Sequence, residues 1–318
     1  MGRAAAYFDY SVENRRPVKV MRSTFDPVAR RTLLLAGVCV LVLPALFGCS
    51  KTKLAVGAMV PILENTKLAA FSSNDIRTFT AAAPSNILLI EGLIRTEPAN
   101  RSLRVTASMS YFSYAFLFDD PADEGYASML YLKGLEHGKS ALFENEKMRS
   151  AWDKPFDGFV EGTKHLTAKD LESAVWTVAN WSQFIALHLD STQVLTQIPR
   201  VVALLERAIQ IDGTYFEGLP FMIMGSLHAF RPPLMGGDPE ASRKNFDAAF
   251  GVSEGKFLLA SYFYARFYCY RVQDVDEFEK WLNYVLEQPD SIMPEYRLLN
   301  AMAKQKAASL LKEKDELF

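Results

Sequence analysis

Cysteine is scarce in this sequence, and its scarcity excludes a fold held together by disulfide bonds. The 318 residues include three cysteines, Cys39, Cys49 and Cys269. The first two lie in or beside an apolar N-terminal run, so Cys269 alone belongs to the rest of the chain. Such a body must be stabilised by its hydrophobic core, which a composition of 49% hydrophobic residues can supply. We expect Cys269 to be a buried apolar side chain of an aromatic helix.

The motifs of common enzymes and metal sites are also missing. The four histidines are scattered, and none stands in the His-Glu-x-x-His arrangement of a zinc helix. The sequence has no Gly-x-Ser-x-Gly segment for a nucleophile, and the link 228–246 has no Gly-x-x-x-x-Gly-Lys-Ser/Thr phosphate loop. We therefore predict a protein that is not an enzyme and holds neither a metal nor a cofactor.

A basic stripe is absent too, which argues against nucleic acid as a partner. Residues 1–48 carry seven Lys and Arg against three Asp and Glu. Of the totals of 35 and 37, this leaves 28 basic and 34 acidic residues in 49–318, a net charge of −6. Binding to nucleic acid depends on basic side chains that contact the phosphates, and a mildly acidic body does not provide them.

The N-terminal basic excess belongs to an export signal. Arg30 and Arg31 precede an apolar run of about 15 residues, 33–47, which is short for a membrane span and typical of a signal peptide. The run ends in the sequence LFGC, which resembles the bacterial lipobox and makes Cys49 the residue that would be acylated. Residues 1–48 are then the signal peptide, with a possible true start at Met21.

An uncleaved helical anchor is the alternative interpretation, since Phe47 departs from the small residue usual at its position. Both interpretations export the body and tether it to a membrane. We expect a periplasmic protein of a bacterium, anchored to the cell membrane or the outer membrane through a covalent lipid on Cys49.

Strand patterns are missing after Cys49, while apolar residues recur at spacings of three and four over long segments. The pattern predicts eleven helices, near 54–70, 84–96, 100–118, 123–147, 168–189, 193–212, 214–230, 239–250, 255–271, 274–288 and 293–316. The short connections favour antiparallel neighbours, hence helical hairpins stacked in series. Residues 49–83 would form the lipidated N-terminus and first helix, and residues 84–318 an all-helical domain.

Three of these helices share one set of offsets, which resembles the second helix of a tetratricopeptide repeat. The positions are Val201, Leu205 and Ala208; Ser242, Phe246 and Ala249; and Phe278, Leu282 and Val285. The preceding segment FMIMGSLH has a small residue where the first helix of that repeat needs one. The predicted fold is therefore an all-α superhelical array of degenerate tetratricopeptide-like hairpins, a class that commonly binds partners.

The segment HAFRPPLMGGDPEASRKNF, 228–246, is predicted to join two helices of one repeat. Asp238 is a suitable N-cap, and the proline after it suits the first helical position. Arg231 and Asp238 are predicted to hold this link together, with ligand or partner binding as the alternative role.

Two aromatic segments, MSYFSYAFLF (109–118) and SYFYARFYCY (261–270), give the best indication of a ligand. The segment SYFYARFYCY places Tyr262, Tyr264 and Tyr268 around one helix, with Arg266 in its middle. Central packing is one interpretation, and the other is that some rings line a cleft for an apolar ligand. Arg266 would then meet a carboxylate of the ligand, or form an internal ion pair.

The order of segments after residue 85 resembles the TatT family, the tetratricopeptide-containing T component associated with TRAP transporters. The resemblance rests on residues 112–142 and on five later segments in order. These are PRVVALLERAIQIDGTYFEG, HAFRPPLMGGDPEASRKNFDAAF, EGKFLLASYFYARFYC, DEFEKWLNYVLEQPDS and PEYRLLNAMAKQKAASLLKEKDELF. It implies an exported, often lipidated, all-helical protein that works with a periplasmic TRAP-type solute-binding protein. It also implies homotrimers whose subunits each contain a channel or cleft.

These observations together predict an accessory of a TRAP-type uptake system. The body would dock a solute-binding protein near the membrane and hold a small hydrophobic or organic-acid ligand in a cleft. The alternative is an envelope lipoprotein that serves as a scaffold for protein assembly without a ligand of its own.

Overall fold

A computed structural model describes residues 51–118, 123–231 and 236–318. Within these ranges the chain forms α-helices, short 3-10 segments and one π-helical segment, with no strand. The first helices are α1 (Lys51–Ser72), α2 (Ile76–Thr96), α3 (Arg101–Ala115), α4 (Glu124–Leu142), α5 (Glu146–Ala151), α6 (Phe156–Thr163), α7 (Leu171–Ala186) and α8 (Thr192–Leu195). They are followed by α9 (Ile198–Asp212), α10 (Tyr215–Phe230), α11 (Pro239–Ser253), α12 (Leu258–Phe263), α13 (Tyr270–Val272), α14 (Val275–Glu287), α15 (Arg297–Lys312) and α16 (Lys314–Leu317).

Neighbours along the chain pack against one another, as the prediction of serial hairpins requires. Helix α2 packs on α3, α3 on α4, α4 on α7 and α7 on α9, and the pairs α10–α11 and α14–α15 continue the series. The predicted all-α helical array is confirmed. The predicted signal peptide (1–48) and Cys49 lie outside the described residues. Residues Lys51–Phe318 form one compact unit.

The nine repeat positions read from the sequence are all fully buried. They comprise Val201, Leu205 and Ala208, Ser242, Phe246 and Ala249, and Phe278, Leu282 and Val285, each 0% exposed. Offsets of four and three place such residues on one helical face, so each helix buries its apolar stripe against its neighbours.

The small residue of the segment FMIMGSLH is Gly225, and its contacts show why the position must be small. A Cβ atom there would lie 2.8 Å from Cδ2 of Phe246. The Ser242 hydroxyl donates a hydrogen bond of 2.7 Å to the Gly225 carbonyl. Helices α10 and α11 can approach this closely because glycine has no side chain.

Some predicted boundaries were wrong for identifiable reasons. No helix was predicted between 147 and 168, where most of α5 and all of α6 lie; both are short, six and eight residues. Helix α2 begins at Ile76 instead of 84, because Asp75 caps it by accepting a hydrogen bond from the Thr78 amide. The predicted boundary between 83 and 84 therefore falls inside a continuous helix.

The first turn of α10 has left-handed backbone. Phe216, Glu217 and Gly218 have φ values of 47°, 57° and 80°. This conformation turns the Phe216 ring into the core, where it meets Phe71, Trp176, Phe257 and Tyr296 at centroid distances of 5.1 to 6.1 Å. These contacts of the partly buried ring offset the cost of left-handed backbone at two residues other than glycine.

Candidate functional site

A cleft of about 440 Å³, here called the Arg266 cleft, opens between the ends of several helices. Its walls come from α4, α10, α15 and α16, from the residues after α7, and from the segment 262–271. The lining residues are Glu124, Leu187, Leu189, Phe230, Tyr262, Arg266, Phe267, Tyr270, Arg271, Lys306, Ser309, Leu310, Glu313 and Leu317. Two of the residues predicted as ligand contacts, Tyr262 and Arg266, therefore line one cleft.

A π-helical segment, Tyr264–Cys269, brings these side chains to the cleft. Because π-helical hydrogen bonds join residues five apart, residues at that spacing share a face. Tyr262 and Phe267 are five apart, as are Arg266 and Arg271, and all four line the cleft. The predicted continuous helix over 255–271 is in this respect wrong, since an α-helix would separate these pairs.

Arg266 is held in a fixed position among aromatic rings. Its Nη1 donates a hydrogen bond of 2.9 Å to the hydroxyl of Tyr262. The guanidinium lies 5.9 Å from the centre of the Tyr262 ring and 5.4 Å from that of Phe267. Cation–π contacts at these distances orient the group, and they are stronger where water is excluded.

Lys306 adds a second cation to the cleft, and this one is buried. It is 6% exposed, and its Nζ lies 5.6 Å from the centre of the Phe116 ring. Lys306 was not among the residues predicted from the sequence. A signal was present, however, because Lys306 stands between Ala303 and Ala307 on the buried stripe of α15. A lysine on a core stripe is unusual, because lysine is almost never fully buried unless it is paired.

The charges and walls of the Arg266 cleft suit an anion with an apolar body. Arg266, Arg271 and Lys306 are basic and Glu124 and Glu313 acidic, so the lining carries an excess of one positive charge. Most of the remaining lining is aromatic or aliphatic. Pockets of this composition bind apolar molecules, and a few polar groups fix the orientation of the ligand.

Tyr264 and Tyr268 are not among the lining residues of the cleft. The Tyr264 hydroxyl donates a hydrogen bond of 2.8 Å to Glu277 Oε2 in α14. Burial, together with the charge of Glu277, raises the pKa of Tyr264 above its usual value. The Tyr268 ring stacks on Tyr264 at 4.7 Å. The two predicted contacts therefore belong to the packing between the π-helical segment and α14.

Cys269 ends the π-helical segment and is fully buried, as predicted. Burial raises the pKa of its thiol, with smaller contributions from the charges of Glu277 and Asp274. A buried thiol of raised pKa is unreactive, because the thiolate is the nucleophilic form. Cys269 is thus a small apolar side chain of the core.

Arg231 and Asp238 flank the link between α10 and α11 and lie outside the lining of the Arg266 cleft. Arg231 is 7% exposed and donates from Nε to the Leu227 carbonyl at 2.7 Å. Its Nη2 lies 2.9 Å from Nδ1 of His228. Burial lowers the pKa of Arg231, and the charge of Asp238 acts in the opposite direction.

Asp238 is the N-cap of α11, as predicted: its Oδ1 accepts from the Ala241 amide at 3.0 Å. Its own amide donates to the His228 carbonyl at 3.0 Å. Both ends of the link are thus fixed by internal hydrogen bonds. Their role in binding stays a prediction.

A second cleft, of about 320 Å³, lies between α1, α2 and α3 and was not predicted. Leu63, Phe71, Phe79, Ile90 and Met109 contribute to its largely apolar lining. Nothing in the sequence indicates it, because its walls come from helices whose crossing is set by tertiary packing. Among the described residues, no group of three or more His, Cys, Asp or Glu side chains is arranged to hold a metal ion.

The family of the chain follows from comparison with known proteins. The family model described as TAtT, TRAP transporter T-component, matches residues 72–318. A search of curated proteins found no match. The matched range begins at the last residue of α1 and contains every lining residue of the Arg266 cleft.

Proposed function

The chain belongs to the TRAP transporter T-component family, which confirms the resemblance found in the sequence, and we propose that it docks a solute-binding protein for a TRAP-type uptake system. Membership associates the protein with TRAP transport and with the bacterial envelope. A lipid on Cys49, a periplasmic location and homotrimers belong to this proposal. The body would then stand at the membrane surface, where a solute-binding protein delivers its cargo.

We propose further that the Arg266 cleft holds a small organic acid with a hydrophobic body. The supporting observation is the placement of two cations, Arg266 and Lys306, against aromatic rings in one cleft. A carboxylate fits the planar fork of donors that a guanidinium offers. The apolar part of the ligand would lie against Phe230, Phe267 and Leu310. The cleft would buffer or pass the ligand released by the docked partner.

A capture experiment tests the docking. The full chain, purified in detergent from bacterial membranes, is immobilised and exposed to soluble periplasmic extract, and bound proteins are identified by mass spectrometry. We expect a TRAP-type solute-binding protein in near-stoichiometric amount, and an unrelated lipoprotein handled in parallel should not retain it. Recovery of other envelope proteins alone would contradict the proposal and favour the scaffold without a ligand.

Two further measurements test the anchor and the assembly. The mass of the N-terminal peptide reports the lipid on Cys49, and Cys49→Ser should release the body from the membrane unless the apolar run is retained as a helical anchor. Light scattering of the purified protein reports the number of subunits. A monomer at all concentrations would contradict the proposed trimer.

A further inference from the structure

From Leu54 to Ser72, helix α1 presents an uncharged and largely apolar face to its surroundings. Leu54, Ile62 and Leu68 are 77%, 55% and 60% exposed. The other exposed residues between Leu54 and Ser72 are Ala55, Gly57, Ala58, Pro61, Asn65, Thr66, Ala69 and Ser72. None of these residues is charged. The residues Lys53–Ser72 are long and apolar enough to cross a membrane, with a mean hydropathy of 1.3 in the most apolar window, and 17% of that window is buried.

Helix α14, a surface helix elsewhere in the chain, looks different. The exposed residues of α14 are Asp276, Lys280, Asn283 and Glu287, all polar. This is the usual pattern for a surface helix, whose outer face carries charges. The two charged side chains in the middle of α1, Glu64 and Lys67, are partly buried and form an ion pair with each other. The outer face of α1 is therefore suited to an apolar medium.

Hydroxyl groups on this face are satisfied within the helix. The Thr66 hydroxyl donates to the Ile62 carbonyl at 2.8 Å, and that of Ser72 to the Leu68 carbonyl at 2.9 Å. Hydroxyls bonded in this way need no water, which lowers the cost of moving them into lipid. The uncharged exposed residues and the internally bonded hydroxyls of α1 both suit an apolar medium.

The opposite face of α1 is fixed to the body. Val56, Leu63 and Phe71 are 2%, 6% and 6% exposed, and the Phe71 ring lies 6.0 Å from Phe216 and 6.1 Å from Tyr296. A helix held along one side by protein cannot cross a bilayer alone. It can lie along the surface, which buries an exposed stripe that extends over most of its length, about 33 Å at 1.5 Å per residue.

The sequence before α1 indicates that the nearby apolar medium is a membrane. The apolar run 33–47 and Cys49 immediately precede Lys51, so a lipid on Cys49 holds the first residue of α1 within roughly 7 Å of the anchoring point, and a helical anchor that ends at residue 47 holds it within roughly 14 Å. The helix itself carries three lysines, Lys51, Lys53 and Lys67, against one carboxylate, Glu64. This excess of positive charge favours the anionic headgroups of a bacterial membrane.

We propose that α1 lies flat on the bilayer, with Leu54, Ile62 and Leu68 inserted below the headgroups. This inference rests on the anchoring part of the proposed function and goes beyond it. An anchor alone leaves the body free to tumble on a tether. An inserted α1 fixes which side of the body faces the membrane and therefore which sides face a docking partner.

Depth-dependent quenching tests the inference on the full chain in phosphatidylethanolamine and phosphatidylglycerol vesicles. Ile62→Cys places a fluorescent label on the proposed face, and Asn283→Cys places the same label on the exposed face of α14 as the matched control. The parent chain gives the background from its own cysteines. Iodide quenches labels in water, and lipids with a nitroxide on the acyl chain quench labels in the bilayer.

We expect iodide quenching at residue 62 at least about fivefold weaker than at residue 283, with strong quenching by the acyl-chain nitroxide. Equal iodide quenching at both positions would overturn the inference. Protection of residue 62 from both quenchers would also overturn it, and would assign the face to a second copy of the chain. Failure of the protein to float with vesicles would overturn it too, and the mass of the N-terminal peptide then shows whether the anchor itself is missing.

Discussion

The hydroxyl of Tyr264 donates a hydrogen bond to Glu277 Oε2 over 2.8 Å and so ties the π-helical segment to α14. The ring also contacts Phe246 and Trp281 at centroid distances of 5.4 and 5.2 Å. This side of the segment serves packing, while Tyr262 and Arg266 line the cleft. Alternate residues of one aromatic sequence thus have different roles.

Tyr264→Phe should therefore affect stability and leave ligand binding unchanged. The substitution removes one hydrogen bond to a partly exposed carboxylate and keeps the ring, so we expect the free energy of unfolding to fall by about 1 to 2 kcal/mol. Urea denaturation measures the change, and a double-mutant cycle with Glu277→Gln assigns it to this bond. Weaker binding of an aromatic anion at unchanged stability would place Tyr264 in the site instead.

The sequence predicted the helical positions well because burial imposes a period that can be read locally. Phe246 and Leu282, for example, are fully buried at the offsets from which the repeat was inferred. The π-helical segment could not be predicted from the sequence, because its widened turn depends on the packing of α11 and α14 against it. The left-handed turn at Phe216 was missed for the same reason, since it is explained by the contacts of the partly buried ring with distant aromatic residues.

The candidate site could be predicted in part. The aromatic sequence pointed to Tyr262 and Arg266, but the helical period could not decide which tyrosines share a face with Arg266 once the π-helical segment shifts the phase. Lys306 and Phe230 come from helices distant in the chain. Only the tertiary fold brings such residues together, and one sequence contains no pairwise signal for it.

Arg266→Gln should weaken the binding of an apolar anion. The probe is 8-anilinonaphthalene-1-sulfonate, whose fluorescence rises in apolar sites, and we expect a Kd about tenfold higher, equivalent to about 1.4 kcal/mol. Arg266→Lys retains the charge but not the planar stacking, so its Kd should fall between the two. Arg243→Gln, on α11 and outside the cleft lining, is the matched control. Equal affinity in Arg266→Gln and the parent would remove Arg266 from the site.

Asp170 joins three segments and should dominate the acid stability of the first half of the chain. Its Oδ1 accepts from Arg101 Nη2 at 2.7 Å, and its Oδ2 accepts from Asn145 Nδ2 at 3.1 Å and the Thr167 amide at 2.9 Å. Burial raises the pKa of Asp170, but these hydrogen bonds outweigh it and hold the pKa below the ordinary value of 3.8. The stabilisation is therefore present above pH 3.8 and lost as the pH falls through the lower folded-state pKa.

Asp170→Asn should accordingly lower the free energy of unfolding at pH 7 by about 2 to 3 kcal/mol, because Arg101 loses its charged partner. The difference from the parent should shrink as the pH falls below 3.8. Thermal unfolding followed by circular dichroism over a pH series measures both. Glu161→Gln, which breaks an exposed ion pair with Lys164, is the control and should change little. A penalty for Asp170→Asn that is constant with pH would contradict the assigned role.

Glu217 should affect the pH dependence of stability in the opposite direction to Asp170, because its environment disfavours the charged form of its carboxyl group. Burial raises the pKa of Glu217 above the ordinary 4.5, and the charge of Glu295 raises it further. A carboxyl of raised folded-state pKa contributes stability below pH 4.5 that is lost as the pH rises through the folded-state pKa. Glu217→Gln should thus raise Tm by roughly 1 to 3 °C at pH 8 and leave it unchanged at pH 4. Glu295→Gln removes the second cause alone and should give a smaller rise. If Glu217→Gln lowered Tm at pH 8, the carboxylate would instead be making a favourable contact in the left-handed turn.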